Sequence, residues 1–324
     1  MSETLLLDSL TIIIPTYNRE KVLTKALNGY LAQSSPHLIH ELLVVDDGST
    51  DGTESMVREI GKRSPFPIRY LRQPNKGPAA ARNLGISEAR AALVLFTDSD
   101  IIPERSLVEQ HVQWHRNDPQ ISTAVLGYVT WSPEVKATPF MRWYGEVEIF
   151  GFRRLRDQRV AGFQYFYTCN VSLKTDFLRE NGQFDEQFRT AAYEDTELGY
   201  RLARHGLKLL YNSDAVGYHY QFFSLDDACK KRMNNAAAAK LFFQTDAGLE
   251  VLKEIRRKHS RFGYKFAKRL ATTFATLFSP ARRILDSAVP LPGIVYRLFF
   301  WAATRQPTEP YETDTARNNR VSGG

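Results

Sequence analysis

The sequence predicts an α/β protein: a doubly wound, mostly parallel sheet flanked by helices, with a basic helical extension on its C-terminal side. Three observations carry that expectation. Within the first hundred residues, short apolar runs alternate four times with segments of helical spacing, joined by short connections, as parallel βαβ units require. Two of those runs end in acids, Asp46-Asp47 and Asp98-Ser99-Asp100, and ligands of open α/β sheets bind at the carboxyl ends of strands. The 324 residues, 43% hydrophobic and 24% charged, suffice to bury a core.

The elements follow in order. Thr11 to Ile14 reads as a buried strand halted by Pro15, which cannot donate to a central ladder, and Thr16-Tyr17-Asn18-Arg19 as a loop. A helix is expected from Glu20 to Gln33, with Val22, Ala26, Leu27, Tyr30 and Leu31 on one face and Pro36 past its end. Leu42 to Val45 forms the second strand, and Gly48 to Thr53 the turn into a helix reaching Lys62. Ile68 to Leu71 is the third strand; after it, Lys76-Gly77-Pro78 opens a small-residue helix whose N-terminus suits an anion. Leu93 to Thr97 is the fourth, and its two closing acids form either a hard oxygen site for a divalent cation or a capped strand end with solvated acids.

Further along, a helix is expected from Glu104 to Trp114 and a strand from Ile121 to Val129. Residues 131–166 are aromatic, rich in Arg and poorly periodic, which suits either a variable pocket wall or packed loop. Tyr167 to Lys174 is strand-like and leads into a short helix, Thr175 to Glu180. The helix opening at Glu194-Asp195 has acids in its first turn, basic residues in its last, and Gly206 as cap. Its dipole favours the ionised acids, which either only complement that dipole or supply an ionised carboxylate able to take a proton from a hydroxyl. Leu207 to Tyr211 and Ala215 to Tyr220 read as two strands; His219 is either a metal ligand or a hydrogen-bonded structural residue. A helix is expected from Asp226 to Lys258.

Charge and composition exclude several classes. With only Cys169 and Cys229, a disulfide framework is not expected, and a reducing compartment is. The start lacks a basic segment followed by a long apolar one, and no apolar run of about 18 residues occurs, so neither a secretory signal nor a plain membrane span is expected. The net charge of +7 is uneven: residues 253–305 hold 12 Lys and Arg against Glu254 and Asp286, leaving the remainder slightly acidic. That argues against nucleic acid as the ligand of the N-terminal part. There is no G-x-G-x-x-G after the first strand and no G-x-x-x-x-G-K-[ST] loop, so a bound nucleotide would depend on acids and a cation.

The ordered set Ile-Ile-Pro-Thr-Tyr-Asn-Arg, Val-Val-Asp-Asp-Gly-Ser-Thr-Asp, Lys-Gly-Pro-Ala-Ala-Ala-Arg-Asn, Asp-Ser-Asp, Cys-Asn-Val-Ser-Leu-Lys, Glu-Asp and a late His resembles the family 2 glycosyltransferases of the GT-A fold, over Ser9 to Tyr220. The resemblance implies an inverting, metal-dependent transfer from a nucleotide-diphosphate sugar donor to a glycan, polysaccharide or lipid-linked acceptor. It implies that Pro15, Thr16, Tyr17 and Asp47 hold base and ribose, with Arg19, Lys76, Gly77, Arg82 and Ser99 at the same donor pocket. Asp98 would meet ribose or metal, Asp100 would bind Mn2+ or Mg2+ with His219 as a further ligand, and Asp195 would be the base beside Glu194. On this reading residues 1–225 form the catalytic domain, with a nucleotide-binding half over about 1–103 and an acceptor-binding half over about 104–225. Two other classes fit parts of the pattern: a nucleotidyltransferase of related architecture, and a non-catalytic sugar-nucleotide scaffold. The first usually carries a Gly-rich phosphate loop where Pro15 to Asn18 stand here; the intact Glu-Asp pair counts against the second.

Residues 226–305 read as a basic, aromatic helical extension and 306–324 as a disordered tail. Over 260–305, Lys and Arg mixed with Phe, Leu and Trp at helical spacing suit peripheral contact with a membrane. Equally, those helices could cover the catalytic domain or form a homodimer contact. A cytoplasmic protein, with this segment touching the inner face of the membrane, is the corresponding expectation.

Overall fold

The computed structural model describes residues 8–155 and 159–259, with Gly293 and Tyr296. The chain forms two compact units, Met1–Ala137 with Met141–Phe222, and Thr138–Phe140 with Phe223–Gly324. The expectations for 260–305 and 306–324, membrane contact and disorder among them, concern residues that, but for Gly293 and Tyr296, lie outside those described. No helix among the described residues is long and apolar enough to cross a membrane.

The first unit is built on a nine-stranded sheet. Its parallel part comprises β1 (Leu10–Thr16), β2 (Ile39–Asp46), β3 (Ile68–Arg72) and β4 (Leu93–Thr97), in the order β3-β2-β1-β4. The connecting helices are α1 (Glu20–Leu31), α2 (Thr53–Gly61) and α3 (Pro78–Glu88). Beyond β4 the sheet turns mixed. The strands there are β5 (Ile101–Pro103), β6 (Thr123–Trp131), β7 (Val160–Ala161), β8 (Asn170–Lys174) and β9 (Lys208–His219). β8 enters antiparallel to both β4 and β6, and β9 runs parallel to β6 but antiparallel to β5 and β7. The second half is therefore less parallel than the N-terminal pattern suggests, because β8 follows α4 (Leu107–Asn117) and β6 rather than a simple βαβ crossover.

Alternation along β1 shows why these runs are strands. Leu10, Ile12 and Ile14 pack into one apolar cluster with Leu23 and Leu27 of α1, whereas Ile13 joins a second cluster with Leu43, Val94 and Phe96. The sheet is thus buried on both faces, which favours continuous apolar runs. On the second face, α3 lies close to β1 through Gly85, where a Cβ would stand 2.5 Å from Ile13 Cγ2. Close approach there carries Arg82, one turn earlier, beneath the strand ends.

Three local expectations change. The two strands expected at 207–211 and 215–220 are the single strand β9, whose pairing with β6 jumps from Gly127↔Asn212 to Tyr128↔Val216 through a bulge. Past the end of β6, the described residues of 132–166 form short irregular structure: α5 (Pro139–Tyr144), a π-helical turn at Gly145–Ile149, 3-10 turns at Phe152–Leu155 and Phe163–Tyr165, and β7 between them. No periodicity exists there to detect. In the second unit the single helix expected from 226 is three: α8 (Leu225–Asn234), α9 (Ala236–Phe242) and α10 (Asp246–His259). A capping box starts α8, Ser224 Oγ accepting from Asp227 N while Asp227 accepts from Ser224 N.

Candidate active site

The chain runs from β1 to β2 and β3 on one side, then crosses back to place β4 on the other side of β1. The space beyond the ends of β1 and β4 is therefore the switch point at which an open α/β sheet binds ligands. Pairing of β1 with β4 stops at Ile13↔Phe96, while β1 stays with β2 to Thr16↔Asp46, so the crevice opens between β1 and β4. Pro15, Thr16 and Tyr17 stand at its rim, with Tyr17 47% exposed. Asn18 adopts φ 51°, a left-handed conformation that Asn tolerates. Its amide donates to Ser49 Oγ at 2.8 Å and its side-chain oxygen accepts from Thr50 N at 2.8 Å. That clasp fixes the loop and directs the next residue, Arg19, toward the acids of β4.

Asp47 is buried, and its carboxylate is taken up by the protein itself. Oδ1 accepts from Gln73 Nε2 at 2.7 Å and Lys76 N at 2.8 Å; Oδ2 accepts from Gly77 N at 2.8 Å. The anion expected at the start of α3 is thus this side chain. Gly77 has φ 94°, and a Cβ on it would lie 2.8 Å from Arg189 O, so the close turn requires glycine. The Lys76 side chain remains exposed. Asp46 is buried too, accepting from Ser49 N at 2.8 Å and from the Tyr70 hydroxyl.

After β4 the chain turns at Asp98-Ser99-Asp100, Ile101 N donating to Asp98 O at 3.1 Å, and β5 begins at once. β5 was not expected from sequence. It matters because Ile101 pairs with His219, the last residue of β9, which brings His219 Nε2 to 3.7 Å from Asp100 Oδ1. Trp131 and Phe150 pack edge-on against the His219 ring, with centroids 5.2 and 5.9 Å away. The other Asp100 oxygen, Oδ2, faces Arg19 at 3.2 Å. Among the described residues no group of three or more His, Cys, Asp or Glu is arranged to hold a metal ion. The Asp100 carboxylate nevertheless fits Mg2+ or Mn2+, which commonly take one or two carboxylates and complete their shell with phosphate oxygens and water, and the imidazole beside it suits Mn2+ better than Mg2+.

Asp98 points elsewhere. Its Oδ1 lies 2.8 Å from Arg82 Nη2, and Nη1 of the same guanidinium lies 3.0 Å from Glu194 Oε1. Arg82 is 2% exposed and Glu194 3%. One buried cation therefore joins the strand-end acids to the start of α7 (Glu194–Arg204). That helix is held at both ends: Tyr193 precedes it with φ 72°, and Gly206 at φ 87° closes it, with Leu207 N donating to Leu202 O at 3.0 Å and Gly206 N to Ala203 O at 3.1 Å. Asp195 Oδ1 accepts from Thr196 N at 2.7 Å; among the described residues its Oδ2 accepts from none.

The dipole argument from sequence does not decide the charge of this pair. Burial pushes Glu194 upward, the neighbouring Asp195 adds to it and Arg82 opposes. Burial likewise pushes Asp195 upward, against Arg82 and the Thr196 amide. Desolvation outweighs the helix end because Glu194 and Glu197 of the first turn are buried and Asp195 beside them is partly so, whereas a macrodipole contributes only about 0.3–1 kcal/mol at exposed ends. A carboxylate held above its ordinary range is a stronger base once ionised.

Sequence reasoning missed a second polar set behind the acids. His111 and His115, one turn apart on α4, face Asn170, Ser172 and Lys174, the alternate residues of β8. The signal was present: spacing i, i+4 on a helix opposite i, i+2, i+4 on a strand puts all five side chains on facing surfaces.

A family model described as Glycosyl transferase family 2 matches residues 11–181. Among curated relatives, validoxylamine A glucosyltransferase of Streptomyces hygroscopicus subsp. limoneus is 33% identical over 233 residues, covering 64% of this chain and 51% of that protein. Chondroitin synthase of Escherichia coli is 29% identical over 245 residues, covering 67% of this chain and 35% of that one. The chain thus spans about half or less of the length of these relatives. Two solved structures share the fold at 18% identity. S. aureus TarS 1–349 in complex with UDP has a TM-score of 0.53, over 92% of this chain and 89% of that one. A mannosyltransferase from Pyrobaculum calidifontis in complex with GDP-Man and Mn2+ has a TM-score of 0.56, over 93% and 88%. The mixed sheet with flanking helices is accordingly the GT-A fold, and with more than half of its residues inside the family match, the chain belongs to glycosyl transferase family 2.

Proposed function

We propose that this chain transfers a sugar from a nucleoside-diphosphate donor to a hydroxyl of a glycan, polysaccharide or lipid-linked acceptor, with inversion at the anomeric carbon and with Mn2+ or Mg2+ held at Asp100 and His219. The observation that carries the proposal is the division of labour among the carboxylates. Asp100 faces a cationic partner at the crevice, while Asp195, at the head of α7, keeps an oxygen without a hydrogen-bond donor among the described residues.

In this reading the rim of Pro15, Thr16 and Tyr17 receives base and ribose, and Asp47 shapes that pocket by tying the end of β2 to the start of α3. Asp98 and Ser99 line the ribose side, and the exposed Lys76 ammonium adds positive charge near the phosphates. A bound divalent cation supplies the Lewis acid that neutralises the leaving diphosphate. Arg19, now the counter-cation of Asp100, is placed to turn to the diphosphate as the donor arrives. Asp195 takes the proton of the attacking hydroxyl, and a single in-line displacement inverts the configuration.

The test is a panel of nucleoside-diphosphate sugars with Mn2+, with and without EDTA, scored for diphosphate release and for the anomeric configuration of the product by NMR. The expected result is donor cleavage that EDTA abolishes and an inverted product. Full activity in EDTA rules out the cation, and a retained configuration rules out the single displacement. Asp100→Asn is expected to weaken Mn2+-dependent binding of the donor nucleotide by at least about tenfold, as calorimetry would show. Unchanged affinity would move the cation away from Asp100.

A further inference from the structure

Behind the acids lies an unbroken chain of buried hydrogen bonds with one consistent order of protons. Lys174 Nζ has only protons to offer, and it donates to Asp118 O at 3.0 Å and to His115 Nδ1 at 3.0 Å. His115 must therefore carry its proton on Nε2, which donates to Ser172 Oγ at 2.9 Å. The Ser172 hydroxyl then gives its own proton to His111 Nδ1 at 2.8 Å, and His111 Nε2 donates to Asn170 Oδ1 at 2.9 Å. With its oxygen so engaged, Asn170 turns its amino group the other way, donating to Ala215 O at 2.8 Å and Tyr128 O at 3.2 Å. Both imidazoles are fully buried, and burial holds both below their ordinary range, His111 down to about 4. They stay neutral, as the chain requires.

The far end of that chain is a junction of strands. Asn170 pairs with Thr97, the residue before Asp98. Its two amino-group bonds reach the β6 and β9 strands at the bulge, where Tyr128 pairs with Val216, the residue after Ala215. A Cβ on Gly127 would collide with the Asn170 amide and with Ala215 O, so glycine there leaves room for the clasp. Three residues past that paired Val216, β9 delivers His219 to Asp100. A flipped Asn170 would set its amino group against the His111 donor and its oxygen against two carbonyls, so the histidines decide which way the clasp faces.

We propose that Asn170, oriented by His111, is a positioning residue that sets His219 against the Asp98–Asp100 turn by fixing the bulge of β9. The inference rests on the reading of Asp100 and His219 as the cation site, and its test is arranged to separate the two. The full chain is compared with Asn170→Asp, which keeps the shape but loses both donors, with His111→Leu, which cannot donate to Asn170, and with His111→Gln, which restores an N–H. Two quantities are measured: amide hydrogen exchange of peptides covering 212–220 in metal-free protein, and Mn2+ affinity in the presence of UDP by electron paramagnetic resonance. Asn170→Asp and His111→Leu are expected to exchange at least about tenfold faster over 212–220 than wild type, with β1 and β2 unchanged. They are also expected to bind Mn2+ about tenfold more weakly, with His111→Gln closer to wild type in both. Unchanged exchange, faster exchange spread over the whole sheet, failure of the variants to fold, or a loosened β9 that binds Mn2+ as wild type does would each overturn the proposal. If wild type itself binds no Mn2+, the cation reading fails, and the exchange pattern alone then decides whether Asn170 positions this strand.

Discussion

Asp195→Asn is expected to lower turnover by about a hundred- to ten-thousand-fold, the range lost when a positioned general base is removed. Donor affinity should stay within about twofold, because the substitution removes an interaction made only as the acceptor proton moves. The side chain keeps its size, and the Asn oxygen can still accept from Thr196 N, so the head of α7 is preserved. The pH profile sharpens the test. Burial raises the Asp195 carboxyl against the opposing influence of Arg82, so wild-type kcat should fall as the pH drops through a value above the ordinary carboxylate range. In Asp195→Asn that acid limb should vanish along with the rate. Wild-type turnover in the variant, or an unchanged acid limb, would assign the base elsewhere. Calorimetry with UDP and Mn2+ alongside a stopped transfer assay gives both quantities.

Much of this site is legible in the sequence because it lies where strands end. Asp46-Asp47 and Asp98-Ser99-Asp100 each close an apolar run, and an apolar run followed by acids is a local pattern. The α7 helix is also local, since its first-turn acids, Leu198 and Leu202 one turn apart, and Gly206 all agree. What could not be read depends on contacts between distant parts of the chain. Arg82 and Glu194 are 112 residues apart and meet only because α3 packs on β1 through Gly85. His219 reaches Asp100 through β5, a three-residue strand with no periodicity, and through a bulge that makes one strand look like two. The balance of forces on Glu194 and Asp195 is likewise set by what packs over the helix end rather than by local sequence. A helix end favours anions, but whether that end is wet depends on what covers it, and burial here outweighs the dipole.

Removing the Arg82 cation should be the most damaging change to stability at the site. Arg82→Met keeps much of the length and the apolar stem but leaves Asp98 and Glu194, with Asp195 beside them, sharing no counter-charge. Breaking one partner out of a buried ion pair costs about 3–5 kcal/mol, because the remaining charge stays desolvated. Glu194 bears most of that cost: it is buried, and among the described residues its Oε2 already lacks a hydrogen-bond donor. Glu194→Gln alone removes a charge that burial disfavours, so it should cost less than Arg82→Met. The double variant Arg82→Met with Glu194→Gln should therefore recover part of the loss, a coupling of about 1–3 kcal/mol between the two positions. Urea unfolding of the four proteins, followed by tryptophan fluorescence and confined to the transition of the first unit, measures it. Additive losses would mean that Glu194 does not depend on Arg82, and the guanidinium would then serve Asp98 alone. A recovered double variant that still fails to transfer sugar would show that the cation also holds Asp195 in place, since stability would have returned without the alignment that catalysis needs.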